Sequence, residues 1–318
     1  MKALRYSDHL ELTNTPFEAR DGEALVRVLF AGICNTDLEI VKGYAGFHGT
    51  LGHEFVGRVE SGAPGELIGK RVVGEINAGC GRCELCGSRD PRHCKDRTVL
   101  GIKGRDGAFA EFLSLPAANL LAVPDAISDE QAVFIEPLAA ALNIREQVEL
   151  SSGMRVGIIG DGKLAQLIVL AVAPTGCDLT VIGKHRERLA LAERGGANDA
   201  RLFSERAQVG ALDVVIEASG SAAGLQAAIE MTRPRGTVVL KTTHHGATTV
   251  EMSPVVVNEL TIIGSRCGRF ETAIEFLLRR KPDFTSFISE RFDLDFGVEA
   301  FKRAAEPGVL KVLLKMTS

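Results

Sequence analysis

The sequence predicts an α/β protein with two domains, a β-rich antiparallel domain followed by a doubly wound parallel sheet. To about residue 120, short alternating or β-branched runs are each bounded by Gly, Pro, Asn or Asp, which is typical of antiparallel strands. From about residue 150, continuous apolar runs alternate with amphipathic patterns of helical period, which predicts parallel strands joined by crossover helices. The length of 318 residues also suits two cores better than one.

The predicted elements follow the chain in a simple order. The strands of the first region are ALVRVLF at 24–30, FVGRVE at 55–60, KRVVGEI at 70–76 and AFAEFLSL at 108–115. In the second region, predicted strands at 154–160, 179–183, 213–220, 237–243 and 260–266 alternate with predicted helices at 163–173, 185–196, 221–232 and 269–280. After Pro282, a strand at 287–294, a helix at 298–306 and a strand at 309–316 follow, and we expect this tail to return to the first domain.

Charge and hydropathy limit the classes of partner. The net charge of −4 comes from mixed residues with no block of one sign, so nothing indicates a surface for nucleic acid or anionic membranes, and a small-molecule partner is favoured. The N-terminus has no apolar leader, and the longest apolar run, at 164–173, is far shorter than the roughly 18 residues that span a bilayer. We expect a soluble cytoplasmic protein, in which clustered cysteines are thiolate ligands rather than disulfides.

A glycine-rich turn follows the first strand of the second region. Its residues are Gly160, Asp161, Gly162, Lys163, Leu164 and Ala165. The pattern G-x-G-x-x-A between a strand and a helix predicts a dinucleotide site of the Rossmann type. The first Gly permits the tight turn, the second lets a pyrophosphate approach the backbone, and the small Ala165 lets the helix pack closely on the strand.

The end of the next strand bears on the form of the cofactor. A carboxylate about 20 residues after the fingerprint binds the ribose 2′-hydroxyl of NAD. Here the strand ends in Gly183, Lys184, His185 and Arg186, with no acid. Two permanent cations beside a glycine suit a 2′-phosphate, so the sequence favours NADP over NAD. The alternative is an exposed basic first turn of a helix.

Four of the seven cysteines lie within one short stretch. Cys80, Cys83, Cys86 and Cys94 have the spacing C-x2-C-x2-C-x7-C, which lets four thiolates converge on one zinc ion in a closed, structural site. Ferredoxins also begin C-x2-C-x2-C, but their fourth Cys follows after three residues and precedes Pro. Because Cys94 precedes Lys95, zinc is favoured, with an iron–sulfur cluster or a pair of disulfides as the alternatives.

A second group of candidate ligands is spread over three segments. They are GICNTD at 32–37, GHEFVG at 52–57 and IEPL at 135–138. Cys34, His53 and Glu136 are of the types that hold a catalytic zinc through three protein ligands and leave a position for water or an alcohol. Taken separately, each also fits a structural role, as a buried Cys, a hydrogen-bonded His and a surface Glu.

The order of these motifs, with EASG at 217–220, resembles the zinc-containing medium-chain dehydrogenase/reductase superfamily over essentially the whole chain. The similarity is to the alcohol, polyol, threonine and glucose dehydrogenase-like branch. It implies a GroES-like catalytic domain with a structural zinc lobe at 1–125, a Rossmann domain at 126–275 and a return to the catalytic domain at 276–318. It also implies two zinc ions per chain and a homodimer or homotetramer.

The resemblance assigns roles to residues of the catalytic domain. Cys34 and His53 match the family's catalytic zinc ligands, and the cysteine cluster matches its structural zinc lobe. Glu54 matches an acid that either binds zinc or exchanges with water, and Glu136 matches an acid near the metal. Thr36 matches the hydroxyl that relays the substrate proton.

For the cofactor, the resemblance points to the fingerprint residues, to the strand end at 183–186, to Ser219, and to Lys311 as a phosphate-contacting base. Two departures stand out. Asn35 replaces the usual Gly, which is tolerable because Asn adopts left-handed backbone more readily than most residues. Glu39 lies where several relatives have a relay His, so the resemblance does not extend to the final proton exit.

The expected activity is hydride transfer between NADP(H), or NAD(H), and an alcohol or carbonyl substrate. The segment TDLE at 36–39 is similar to that of sugar-active relatives, which favours a polyol or sugar. Tyr44 and His48 lie between the two metal motifs and are candidates to contact a substrate hydroxyl, although a solvated loop position for His48 is the alternative. The competing function is a catalytically silent sensor that binds the nucleotide and zinc.

Overall fold

The computed structural model describes residues 1–88, 90–205, 211–243 and 247–316 and divides into two compact units. Unit 1 comprises Met1–Glu136 and Arg269–Ser318, and unit 2 comprises Pro137–Gly268. Antiparallel pairs dominate the sheets of unit 1, whereas every strand pair of unit 2 is parallel. The predicted fold class is therefore confirmed.

The strands and helices are numbered along the chain. The strands are β1 Lys2–Tyr6, β2 Leu10–Asn14, β3 Ala24–Gly32, β4 Gly49–Thr50, β5 Glu54–Ser61, β6 Arg71–Gly74, β7 Asn77–Ala78, β8 Thr98–Leu100, β9 Gly104–Arg105, β10 Phe112–Leu115, β11 Leu120–Ala122, β12 Arg155–Ile159, β13 Asp178–Gly183, β14 Asp199–Leu202, β15 Leu212–Glu217, β16 Thr232–Leu240, β17 Thr261–Gly264, β18 Ile288–Asp293 and β19 Lys311–Lys315. The helices are α1 Asn35–Ile40, α2 Glu84–Gly87, α3 Asp129–Val133, α4 Ile135–Gln147, α5 Lys163–Val172, α6 Arg186–Arg194, α7 Ala222–Met231, α8 Ser253–Val257, α9 Phe270–Arg280 and α10 Gly297–Ala304.

Unit 1 is built on a sheet with the order β11-β6-β5-β3-β19-β18, in which β10 also pairs with β3. Two smaller sheets, β2-β1-β4 and β7-β8-β9, complete it. The C-terminal strand β19 is antiparallel to β3, with Leu314 opposite Ala31. Since Val26, Ala31, Val312 and Leu314 are all fully buried, the end of the chain forms part of the same core as its beginning.

Unit 2 is a six-stranded parallel sheet with the order β14-β13-β12-β15-β16-β17. Its central strands β12, β13 and β15 are largely buried apolar runs, as in the segment RVGII of β12, because helices cover both faces of such a sheet. The chain runs outward from β12 to β13 and β14, then returns to β15 on the other side of β12. That reversal makes the carboxyl ends of β12 and β15 a switch point, where ligands of such sheets bind.

Some elements were not predicted from the sequence. The edge strand β14 has the short, half-exposed segment DARL, which lacks the apolar run of its neighbours. Helix α4 begins directly at the IEPL motif, whose Pro falls in the first turn, where a missing amide hydrogen is tolerated. Asn35 is the first residue of α1 and is not among the residues with positive φ, so it needs no left-handed backbone.

Candidate metal centre and dinucleotide site

Three predicted ligands converge in unit 1. Cys34 follows β3 and precedes α1, while His53 and Glu54 lie at the start of the neighbouring strand β5. The register pairs Gly32 with Glu54, so the two loops leave the sheet side by side. The ligand atoms of Cys34, His53 and Glu54 all lie within 4.8 Å of one another.

The buried polar atoms of this group fit a metal ion. Glu54 is fully buried, and its Oε1 atom has no hydrogen-bond partner among the described residues. A buried carboxylate oxygen without a donor is costly unless a cation completes it. A thiol, an imidazole and a carboxylate are the ligand types that bind zinc. The donor set therefore fits the predicted catalytic zinc.

Asp37, which has no predicted role, lies beside Cys34 and His53 and contacts both. This fully buried carboxylate accepts hydrogen bonds from the backbone N–H groups of Cys34, at 2.8 Å, and Gly52, at 3.2 Å. Its Oδ1 atom is also 3.2 Å from His53 Nδ1, an ion-pair distance without the alignment of a hydrogen bond. Burial opposes the charged imidazolium, yet Asp37 raises the pKa of His53 well above its usual value. A carboxylate behind a ligating histidine orients it toward the metal.

Asp37→Asn is expected to weaken zinc binding at this centre by about 10- to 100-fold, the usual cost of losing such an orienting carboxylate. Competition with a chromogenic chelator measures this affinity. Asp8→Asn, at an exposed position, is the matched control and should bind zinc like the unmodified protein. Equal affinities for the two variants would contradict the positioning role.

Lys311 differs from its predicted role. We expected a base that contacts the cofactor phosphate, but its ammonium group is buried in unit 1 and forms an ion pair with Glu54 Oε2. Phe134 is also near, with its ring centroid 5.9 Å from Lys311 Nζ. A buried ammonium group already paired with a carboxylate is not an exposed base for a phosphate. Lys311 therefore lies at the candidate metal centre, where its charge balances that of Glu54.

Glu136 and Thr36 lie beside the three ligands. Glu136, in the first turn of α4, is half-buried and is not in the ligand group. Burial, with the charges of Glu54 and Glu75, raises its pKa to about 7. Thr36 Oγ1 is 3.8 Å from Cys34 Sγ, so a hydroxyl group adjoins the candidate metal position.

The four clustered cysteines form a second candidate metal site in unit 1. Their sulfur atoms lie within 4.8 Å of one another, and Cys83 Sγ is 3.6 Å from Cys86 Sγ. A tetrahedron with zinc–sulfur bonds of about 2.3 Å places the sulfurs about 3.8 Å apart, whereas a disulfide requires about 2 Å. All four are free thiols, so disulfide bonds are absent here and the spacing fits one zinc ion.

The loop that contains these four cysteines is tightly packed around them. A Cβ atom on Gly79 would lie only 2.6 Å from Cys86 Sγ, so only glycine fits there. The Cys80 N–H donates to Cys94 Sγ at 3.4 Å. A hydrogen bond from the backbone of Arg82 lowers the pKa of Cys80 to about 6, which favours the thiolate that zinc binds.

In unit 2, the fingerprint joins β12 to α5 as a tight turn. Gly160 has φ +123, and a Cβ atom there would lie 2.5 Å from the Ala218 carbonyl oxygen, so glycine is required. Gly162 precedes α5, and a Cβ atom on it would have nothing within 4 Å. Ala165 is fully buried. Lys163 and Leu164 begin α5. The open space at Gly162 suits a pyrophosphate above the helix N-terminus.

Ser219 follows β15 at the switch point. Its N–H and hydroxyl both donate to Glu217 Oε1, at 2.7 and 2.6 Å. Glu217, a buried residue without a predicted role, thus fixes the loop that contains Ser219.

The end of β13 holds an unexpected carboxylate. Asp161 Oδ2 accepts hydrogen bonds from the backbone N–H groups of Lys184, at 2.6 Å, and His185, at 2.7 Å. A Cβ atom on Gly183 would lie 2.5 Å from this oxygen. Arg186 is exposed and is 3.5 Å from Glu205. A carboxylate therefore does lie at the end of β13, but it belongs to the fingerprint turn.

The remaining candidates lie at the surface of unit 1. His48 is exposed and makes an edge-to-face contact with Tyr6 at 6.0 Å between ring centroids. Tyr44 begins a 3₁₀ turn. Glu39 pairs with Lys42 at 2.9 Å. None of the helices in the described ranges combines the length and apolar character that a membrane crossing requires.

A glycine-rich turn at the switch point of a parallel sheet is typical of enzymes that bind a nicotinamide dinucleotide. Family models agree with that class. Residues 20–125 match the alcohol dehydrogenase GroES-like domain, and residues 164–279 match the zinc-binding dehydrogenase domain. The chain belongs to the zinc-containing medium-chain dehydrogenase/reductase family, a family of alcohol dehydrogenase-like oxidoreductases.

Individual relatives cover nearly the whole chain. L-threonine 3-dehydrogenase of Chromobacterium violaceum is 30% identical over 99% of each chain. A solved structure of the alcohol dehydrogenase rspB from E. coli CFT073 with NADH has a TM-score of 0.89, 26% identity and 99% coverage of each chain. A zinc-binding dehydrogenase from Sinorhizobium meliloti 1021 bound to NADP has a TM-score of 0.88 and 27% identity, covering 99% of this chain and 98% of its own.

Proposed function

We propose that this chain is a zinc-dependent oxidoreductase that transfers a hydride between NAD(H) or NADP(H) and a small alcohol or carbonyl compound. The observation that carries the proposal is the convergence of the ligand atoms of Cys34, His53 and Glu54. The buried Oε1 atom of Glu54 has no hydrogen-bond partner among the described residues. The fingerprint turn of unit 2 supports binding of a dinucleotide, and one solved relative is bound to NADH and another to NADP.

Cys34, His53 and Glu54 would hold the ion, with Asp37 orienting the imidazole. When bound, a zinc ion polarises an alcohol or carbonyl oxygen as a Lewis acid, and the nicotinamide exchanges the hydride. Lys311 keeps the other oxygen of Glu54 paired, so the carboxylate has one oxygen free for the metal. Glu136, outside the ligand group, is an adjacent acid rather than a ligand in this arrangement.

Thr36 would relay the proton that the substrate hydroxyl loses. Its hydroxyl group adjoins Cys34 Sγ and is half-buried, and a hydroxyl can accept one proton while it donates another. Glu39, which replaces a relay His, is tied to Lys42 at the surface. The proton would therefore leave from Thr36 by a route other than Glu39.

The substrate class we propose is a small secondary alcohol with a second polar group, such as a polyol, a sugar acid or an amino alcohol. The TDLE segment at 36–39 is similar to that of sugar-active relatives, and a relative named L-threonine 3-dehydrogenase acts on such an alcohol. We also propose two zinc ions per chain and a homodimer or homotetramer, whose mass light scattering would measure.

A screen of sugar alcohols, aldonates, L-threonine and 2,3-butanediol with both dinucleotides tests the proposal through absorbance at 340 nm. We expect turnover that a chelator removes and zinc restores. Binding of a dinucleotide and two zinc ions without turnover of any compound would instead support the silent sensor.

A further inference from the structure

We propose that the Asp161 carboxylate makes this protein select NAD(H) over NADP(H). The inference rests on the proposed dinucleotide site and reverses the preference predicted from Lys184 and Arg186. The inference depends on the position of Asp161, whose carboxylate lies at the end of β13 beside Gly183. In NAD-binding sheets, a carboxylate at this strand end accepts a hydrogen bond from the ribose 2′-hydroxyl.

The first step of the argument concerns the backbone amides. A 2′-phosphate at this strand end needs hydrogen-bond donors, and the backbone N–H groups of Lys184 and His185 lie directly after β13. Both already donate to Asp161 Oδ2 at normal distances. Two anions cannot share the same donors without strong repulsion at a few ångströms. The carboxylate thus occupies the place that a phosphate requires.

The second step concerns the basic side chains. His185 Nδ1 is 3.0 Å from Asp161 Oδ2, and the Arg188 guanidinium is 3.5 Å from Asp161 Oδ1. Arg186 faces Glu205. Of the two permanent cations that suggested a 2′-phosphate, Arg186 therefore has a carboxylate as its partner. Lys184, at an exposed position, has no ion pair among the described residues.

The third step concerns the charge of Asp161. Its side chain is only 8% exposed. Burial alone raises the pKa of such a group, but hydrogen bonds from His185 and Lys184 outweigh it and lower the pKa of Asp161. The group is an anion at neutral pH. An anion accepts a hydrogen bond from a ribose hydroxyl and repels a phosphate.

Fluorescence titration of the zinc-loaded protein with NADH and NADPH tests the inference without turnover. The unmodified protein should bind NADH at least about tenfold more tightly than NADPH. Asp161→Asn keeps the shape and one acceptor oxygen but removes the charge, so the ratio of the two Kd values should fall to near one. Asp178→Asn, at the exposed start of the same strand, is the matched control and should keep the original ratio.

The outcomes separate this inference from the proposed function. Tighter binding of NADPH by the unmodified protein would overturn the selection by Asp161 and leave the dinucleotide site intact. The same ratio in Asp161→Asn as in Asp178→Asn would also overturn it. Binding of neither dinucleotide would overturn both. Circular dichroism would show whether Asp161→Asn folds. If it does not, the ratio of the Kd values for NADPH and NADH in the unmodified protein decides whether the protein selects NAD(H).

Discussion

Cys34→Ala is expected to abolish turnover while leaving dinucleotide binding unchanged. Cys34 is one of the three convergent ligands of unit 1, whereas the fingerprint belongs to unit 2. A metal that polarises the reacting oxygen contributes several kcal/mol to the barrier, so we expect kcat to fall about 10³-fold or more. Initial rates measure the loss, and titration with the reduced dinucleotide measures the Kd.

Cys177→Ala is the matched control for this variant. Cys177 is also a free cysteine, buried in unit 2 outside both cysteine-containing metal groups. We expect it to keep kcat near that of the unmodified protein. A kcat of Cys34→Ala within tenfold of that of the unmodified protein would contradict a role for Cys34 as a catalytic ligand.

Cys94→Ser is expected to destabilise the protein by about 4 kcal/mol or more. Cys94 is the most buried of the four clustered thiols, and a closed zinc site contributes on the order of 10 kcal/mol of folding free energy. At roughly 2–3 °C per kcal/mol for a chain of this size, the midpoint of thermal unfolding should fall by about 10 °C. Differential scanning calorimetry measures this shift.

Comparing the effects of Cys94→Ser and Cys34→Ala on turnover and on unfolding temperature distinguishes the roles of the two centres. Loss of Cys34 should stop turnover with a smaller change in unfolding temperature, because its centre is open rather than closed. A Cys94→Ser variant that unfolds at the normal temperature would contradict the structural role of the cysteine cluster.

Features encoded in contiguous sequence were predictable. The fingerprint turn, the four cysteines and the alternating strands of unit 2 each follow from spacing within a few residues, where backbone geometry leaves few choices. The grouping of Cys34 with His53, and of the four clustered cysteines, agrees with the predicted ligand sets. The short strand β14 and helix α4 were missed because their segments lack a clear apolar period, so tertiary packing decides their structure.

Side-chain pairings between distant segments were not predictable. Lys311 and Glu54 are 257 positions apart, and no local pattern links them. Asp161 was predicted within the cofactor site, but its position beside Gly183 depends on how β12 and β13 lie side by side. Asp37 had a detectable signal in the sequence. It lies three residues after Cys34, the N-cap of α1, which is the spacing of a capping box.

The metal content of the protein tests the central claim most directly. Elemental mass spectrometry on protein purified without added metal should find two zinc ions per chain, one fewer in Cys34→Ala, and the same two in Cys177→Ala. A single zinc ion that is unchanged in Cys34→Ala, or iron in place of zinc, would contradict the account of a catalytic zinc at Cys34, His53 and Glu54.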